Sequence, residues 1–187
     1  FHAQSCKTTC KMGYNLDIGG IYMKTMKSKP ITVLGTVLSV GTKAPNFVAV
    51  DQNQEKKSLN DFKTPYILLN VVPSLDTGVC DLQTRRFNQE LADYKDLTVI
   101  TLSNDLPFAQ KRWCGNAGLD IVTLSDYIDL DFANKYGVNI KENRLLARSV
   151  FILDEKRNVI YAQYLDEMSE HPDYDKALAV VKANVNR

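Results

Sequence analysis

The chemistry in this chain begins with its four cysteines, Cys6, Cys10, Cys80 and Cys114. A thiol can bridge, bind metal or, as the thiolate, act as a nucleophile. Two structural disulfides would suit a secreted domain. The first residues, FHAQSCKTTCKMGYNLD, lack the apolar core of a signal peptide. The expected setting is a reducing cytoplasm, where a disulfide is usually transient and catalytic. Cys6 and Cys10 can be read as half of a metal site, but such a site needs further ligands, and no metal or organic cofactor is expected. Histidine is scarce: His2 lies near the start and His171 precedes Pro172 in a polar stretch. That scarcity argues against a Cys–His hydrolase.

Cys80 stands out by its setting, Pro73-Ser74-Leu75-Asp76-Thr77-Gly78-Val79-Cys80. This string joins a continuous apolar run, Tyr66 to Val72, to a stretch of helical spacing from Gly78 to about Tyr94. The first reads as a strand buried on both faces. The second places Val79, Leu82, Phe87 and Leu91 on one face of a helix. Asp76 or Thr77 can cap that helix, which leaves Cys80 in the first turn near unpaired N–H groups. A free thiol, with a pKa near ~8.5, is mostly protonated at neutral pH. A helix N-terminus favours the thiolate, a nearby arginine would do so further, and the Thr77 hydroxyl can donate to sulfur or to a substrate oxygen. Strand ends that feed helix starts are where open α/β sheets place their ligands.

The remaining elements build the scaffold. Ile31 to Val40, with Gly35 inside, reads as a short hairpin, and Phe47 to Val50 as a strand. Leu97 to Leu102 reads as a second buried strand. A helix starts at Pro107, a position that favours proline, and another runs from Leu130 to Tyr136. Ser149 to Leu153 and Val159 to Tyr164 form a strand pair, and Tyr174 to Val185 a last helix. The pattern predicts an α/β fold with a mixed sheet flanked by helices. Residues 1–26 show no clean period and are expected to be a leader or upstream extension; residues 27–187 are expected to form one domain. Lys plus Arg number 23 against 22 for Asp plus Glu. No strong field favours nucleic acid, and no apolar run approaches the ~20 residues of a membrane span.

Pro73-x-x-x-Thr77-x-x-Cys80 resembles the active-site signature of the peroxiredoxins, and PSLDTGVC resembles that of their atypical two-cysteine thiol peroxidase subfamily. TRRFN (84–88), DLPFAQKRWCG (105–115) and LLARSVFILD (145–154) extend the resemblance from about Pro30 to the C-terminus. It implies a thioredoxin-like fold with an N-terminal β-hairpin and reduction of hydroperoxides. Cys80 would be the peroxidatic thiolate and Cys114, 34 positions on, the resolving thiol. Thr77 and Arg148 would contact sulfur and peroxide, and Pro73 would shield the site. Thioredoxin would be the reductant, the assembly a homodimer and the setting bacterial cytoplasm. The family usually has Ala after the arginine; this chain has Ser149, with little expected effect. Leu75 and Leu145 would make alkyl substrates plausible. A disulfide needs Cα atoms about 4.4–6.8 Å apart, so one or both helices are expected to unwind locally to close it. A thioredoxin-type oxidoreductase would want C-x-x-C, which Cys80-Asp81-Leu82-Gln83 lacks. The rival from another class is a binding protein with inert structural thiols. Trp113 is expected to pack, and Arg85, Arg86, Arg112 and Arg144 to be surface charges.

Overall fold

The computed structural model describes residues 20–186. His2, Cys6 and Cys10 lie outside the described residues. In chain order the elements are β1 (Ile21–Met26), β2 (Lys29–Leu34), β3 (Val48–Asp51), β4 (Lys56–Ser58), β5 (Tyr66–Val71), α1 (Gly78–Glu90), β6 (Leu97–Ser103), α2 (Pro107–Ala117), β7 (Val122–Ser125), α3 (Asp131–Lys135), β8 (Asn139–Ile140), β9 (Ser149–Leu153), β10 (Val159–Tyr164) and α4 (Tyr174–Asn184).

A seven-stranded mixed sheet runs in the order β10-β9-β5-β6-β7-β3-β4. The β5–β6 and β6–β7 pairs are parallel, and each is joined by a helical crossover, α1 and α2. The flanking pairs are antiparallel. Strand alternation then sorts the core. Ile67, Leu69, Val71, Phe151 and Leu153 face a cluster closed by Phe47, Phe132 and Tyr136. Leu68, Val150 and Ile152 face Phe87 of α1 and Ala177, Leu178 and Val181 of α4. Asn70 also points to the helix side, fully buried in mid-sheet. A buried amide persists only when bonded, and its partners belong to the site described below.

The N-terminal hairpin exists but lies earlier than its expected place at 31–40. Every residue of β1 pairs with β2, from Ile21–Leu34 to Met26–Lys29. Lys27 and Ser28, at φ 50° and 61°, make its two-residue turn, a backbone that Asn-Gly would have announced and Lys-Ser conceals. Residues 21–26 therefore belong to the fold, and the boundary drawn after residue 26 is corrected. Thr25 is tied to the body by hydrogen bonds with Asp166 and Met168. The edge strand hid because its side chains are partly exposed on both faces, which erases the alternation. Gly35 is no hairpin turn either. It ends β2 at φ +115°, where a Cβ would sit 2.5 Å from the Asn134 carbonyl.

The helical face assigned to α1 also needs correcting. Phe87 is buried, but Leu82 is 56% exposed, and the inward face carries Cys80, Gln83 and Thr84. The helix is polar where it meets the sheet because Asn70 lies beneath it. On α2, Pro107 opens the helix as expected, and Gly118, at φ 64°, closes it in the left-handed conformation.

One buried carboxylate couples the fold to pH. Asp126 accepts hydrogen bonds from the backbone N–H groups of Phe132 and Ala133 at 3.1 and 2.7 Å. Burial nevertheless dominates and pushes its pKa up to about 6. The folded value lies above the unfolded one of about 3.9, so its contribution is fully present below about pH 4. It is lost as pH rises toward 6, by up to about 3 kcal/mol. Asp126→Asn keeps an acceptor and removes the titration. Urea unfolding across pH 4 to 6.5 is expected to show the parent losing stability relative to this variant; parallel curves would rule the coupling out.

Candidate active site

The loop between β5 and α1 is pinned from β6. Asp105 accepts from the Ser74 hydroxyl at 2.7 Å, the Leu75 N–H at 2.8 Å and the Ser103 hydroxyl at 2.8 Å. This fixes where α1 begins. Thr77 is the N-cap and Cys80 the third helical residue. The Thr77 side chain does not cap the backbone as expected. Its hydroxyl lies 3.0 Å from the Ser74 carbonyl and 2.8 Å from Cys80 Sγ. A hydroxyl has one proton and can also accept. With a thiol at Cys80 it can accept from S–H and donate to Ser74. With a thiolate it turns and donates to sulfur. The contact therefore survives either protonation state.

Cys80 is fully buried and free. Its second polar contact comes from Arg148, which immediately precedes β9. One terminal guanidinium nitrogen lies 3.2 Å from Cys80 Sγ, the other donates to Gln83 Oε1 at 2.7 Å, and Nε donates to the Met168 carbonyl at 2.9 Å. Arg148 is 2% exposed. A guanidinium held at three points is a fixed fork whose free directions are few. Gln83 in turn donates to Asn70 Oδ1 at 2.6 Å, and the Asn70 amide reaches Thr84 and Thr101, each at 3.1 Å. A buried polar chain thus runs from the centre of the sheet to the arginine and the sulfur.

Pro73 is buried between β5 and the pinned loop. Leu75 packs with Val72, Cys80, Trp113 and Cys114 in one small apolar cluster. Leu145 packs against the larger core. Ser149 fits without strain, its hydroxyl donating to the Ala147 carbonyl at 3.2 Å.

Cys114, near the end of α2, is buried and free. The Gln52 amide contacts its sulfur at 3.4 Å and also donates to Thr123 Oγ1 at 2.8 Å. Burial pushes the Cys114 thiol up, and the polar contacts of Thr123 and Gln52 offset this only in part. Cys80 and Cys114 share a cluster without sharing a bond.

Of the arginines read as surface charges, Arg85 bonds Asp81 at 2.9 Å and lies over the Trp113 ring, while Arg86 lies 4.1 Å over the Tyr174 ring. Arg144 is exposed. His171 is exposed and bonds the Tyr174 hydroxyl at 2.7 Å. Sequence reading missed Gln83, Asn70, Met168 and Gln52. Gln83 had a signal, since it follows Cys80 by three residues and so shares its helix face. The other three reach the site from distant elements, and spacing carries no trace of them.

A mixed sheet of this order, with a cysteine in the first turn of the helix after the interior strand β5, is the arrangement of a thioredoxin-like thiol protein. The comparisons agree. The Redoxin family matches residues 39–178. Thiol peroxidase from Bacillus subtilis is 52% identical over 162 residues, covering 86% of this chain and 97% of its own. Thiol peroxidase from Oceanobacillus iheyensis is 50% identical over 156 residues, covering 83% and 95%. Among solved structures, a peroxiredoxin-like protein from Aquifex aeolicus superposes with a TM-score of 0.80 at 38% identity, covering 86% of this chain and 96% of its own. The chain belongs to the Redoxin family, and within it to the thiol peroxidases.

Proposed function

We propose that Cys80 is the peroxidatic thiol of a thiol-dependent peroxidase that reduces hydrogen peroxide and organic hydroperoxides. The observation that carries this is the pair of donors on its sulfur, Thr77 and Arg148, in a buried site. The sulfur attacks the near oxygen of the peroxide and the O–O bond breaks. The far oxygen leaves with a proton as water or alcohol, and Cys80 becomes a sulfenic acid. Arg148 and Thr77 stand where they can hold the peroxide oxygens as charge moves onto the leaving one. Pro73 and Leu75 keep bulk water from the sulfur.

Cys114 then attacks the Cys80 sulfur, the hydroxyl leaves as water, and a disulfide forms. A dithiol partner of the thioredoxin type reduces it by thiol–disulfide exchange. The raised Cys114 thiol fits a group that reacts only after local opening frees it. Neither step needs a metal or organic cofactor. The relatives are bacterial thiol peroxidases, which supports antioxidant defence in a reducing bacterial cytoplasm. Exposed Leu82, Leu106 and Phe108 offer apolar surface for a homodimer.

The test is to mix the reduced protein with limiting hydroperoxide and map thiols by mass spectrometry. A Cys80–Cys114 disulfide is expected in the parent. In Cys114→Ser a sulfenic acid should accumulate at Cys80, with one equivalent of peroxide consumed and no turnover with a dithiol reductant. Unreacted Cys80 would leave only a peroxidase-like scaffold and favour a binding protein with inert thiols.

A further inference from the structure

The residues that follow Cys80 and precede Cys114 are bonded to each other. Trp113 Nε1 donates to Asp81 Oδ1 at 3.0 Å. Among the described residues this is the one hydrogen bond that joins α1 to α2. Arg85 reinforces it twice: its Nε lies 2.9 and 3.1 Å from the two Asp81 oxygens, and its guanidinium lies 5.3 Å from the Trp113 ring centroid. Trp113 is 9% exposed and packs in the same cluster as both thiols.

The turns that carry the cysteines are otherwise built to loosen. Gly78 opens α1, and Gly115 follows Cys114 inside the last turns of α2. A Cβ at either position would meet nothing within 4 Å, and neither has a positive φ. Packing demands neither glycine, and Gly115, inside its helix, weakens α2. The two cysteine-bearing turns meet across one charge-assisted bond, placed one residue from each sulfur.

We infer that Asp81 and Trp113 form a latch that holds the two cysteine-bearing turns closed, and that its release sets the rate at which Cys114 reaches oxidised Cys80. Both are positioning residues, since they act through the turns and hydrogen-bond neither sulfur. The inference rests on the reading of Cys80 and Cys114 as peroxidatic and resolving thiols. Closed, the latch preserves the Cys80 pocket for attack by peroxide. It also prolongs the sulfenic acid, which a second peroxide can oxidise to sulfinic acid. The latch thus divides the enzyme between turnover and inactivation.

The test uses Trp113→Phe, Asp81→Ala and the double variant, with rapid quenching and mass spectrometry after a peroxide pulse. Each single variant is expected to form the Cys80–Cys114 disulfide about tenfold faster than the parent, the effect of losing one hydrogen bond to a charged group. Each should give less sulfinic acid at excess peroxide. The double variant should be no faster than the singles, because all three remove the same bond. Trp113 is the sole tryptophan, so parent emission should change with the rate constant of disulfide formation. Two results would overturn the latch alone: unchanged partition between disulfide and sulfinic acid with a lowered Tm, or disulfide formation with no change in Trp113 emission. A parent that forms no Cys80–Cys114 disulfide would overturn the underlying reading, and the latch with it.

Discussion

Cys80→Ser is expected to abolish peroxide reduction, lowering kcat/KM by at least about 10⁴-fold, while the protein stays folded. A hydroxyl at this position is a poor nucleophile toward a peroxide oxygen, because it lacks both the polarisable sulfur and an accessible anionic form. The fold should tolerate it. A serine Oγ can accept from Thr77 and Arg148 as the sulfur does, so no donor is left stranded. The loss is confined to a small apolar contact with Leu75 and Val72, and the stability change should stay within about 2 kcal/mol. Peroxide consumption and thermal unfolding, measured on the same preparation, check both halves. Substantial residual turnover would move the reactive sulfur elsewhere.

Arg148→Met should separate the electrostatic role of the site from its thiol. The substitution keeps much of the volume and removes the donor on Cys80 Sγ. It also leaves Gln83 Oε1 and the Met168 carbonyl without their partner. Losing a fixed donor from a buried reacting centre is expected to slow sulfenic acid formation by about 10²- to 10³-fold. The stranded acceptors should cost about 1–3 kcal/mol of stability. Arg148→Lys should not restore the rate, since one ammonium cannot meet the sulfur, the Gln83 amide oxygen and the Met168 carbonyl in the geometry of the planar fork. Stopped-flow measurement of the first oxidation step decides the matter. A lysine variant at the parent rate would mean that charge alone suffices and the fork is incidental.

Strong local signals made most of the scaffold legible. Tyr66–Val71 and Leu97–Ser103 were read nearly to the residue because continuous apolar runs bounded by breakers have few other solutions. Pro107 marked the start of α2 for the same kind of reason. The short strands β4, β7 and β8 escaped, since two to four residues carry too little period to register. The edge strand β1 escaped because it is half exposed, and its Lys27-Ser28 turn has the required backbone without the usual residues.

By itself the sequence singled out Cys80 and Thr77 as candidates, and its resemblance to the peroxiredoxins added Cys114 and Arg148. Cys80 and Thr77 sit in a local string whose chemistry depends on near neighbours: a strand end, a helix start, a residue three positions on. Only the tertiary structure decided what surrounds them. It set Arg148 against Cys80 across 68 positions, held it by Gln83 and the Met168 carbonyl, brought the Gln52 amide to Cys114, and bonded Asp81 to Trp113. The reason is physical. A buried polar group must find a partner in whichever element packs beside it, and that choice is made when the sheet and helices assemble.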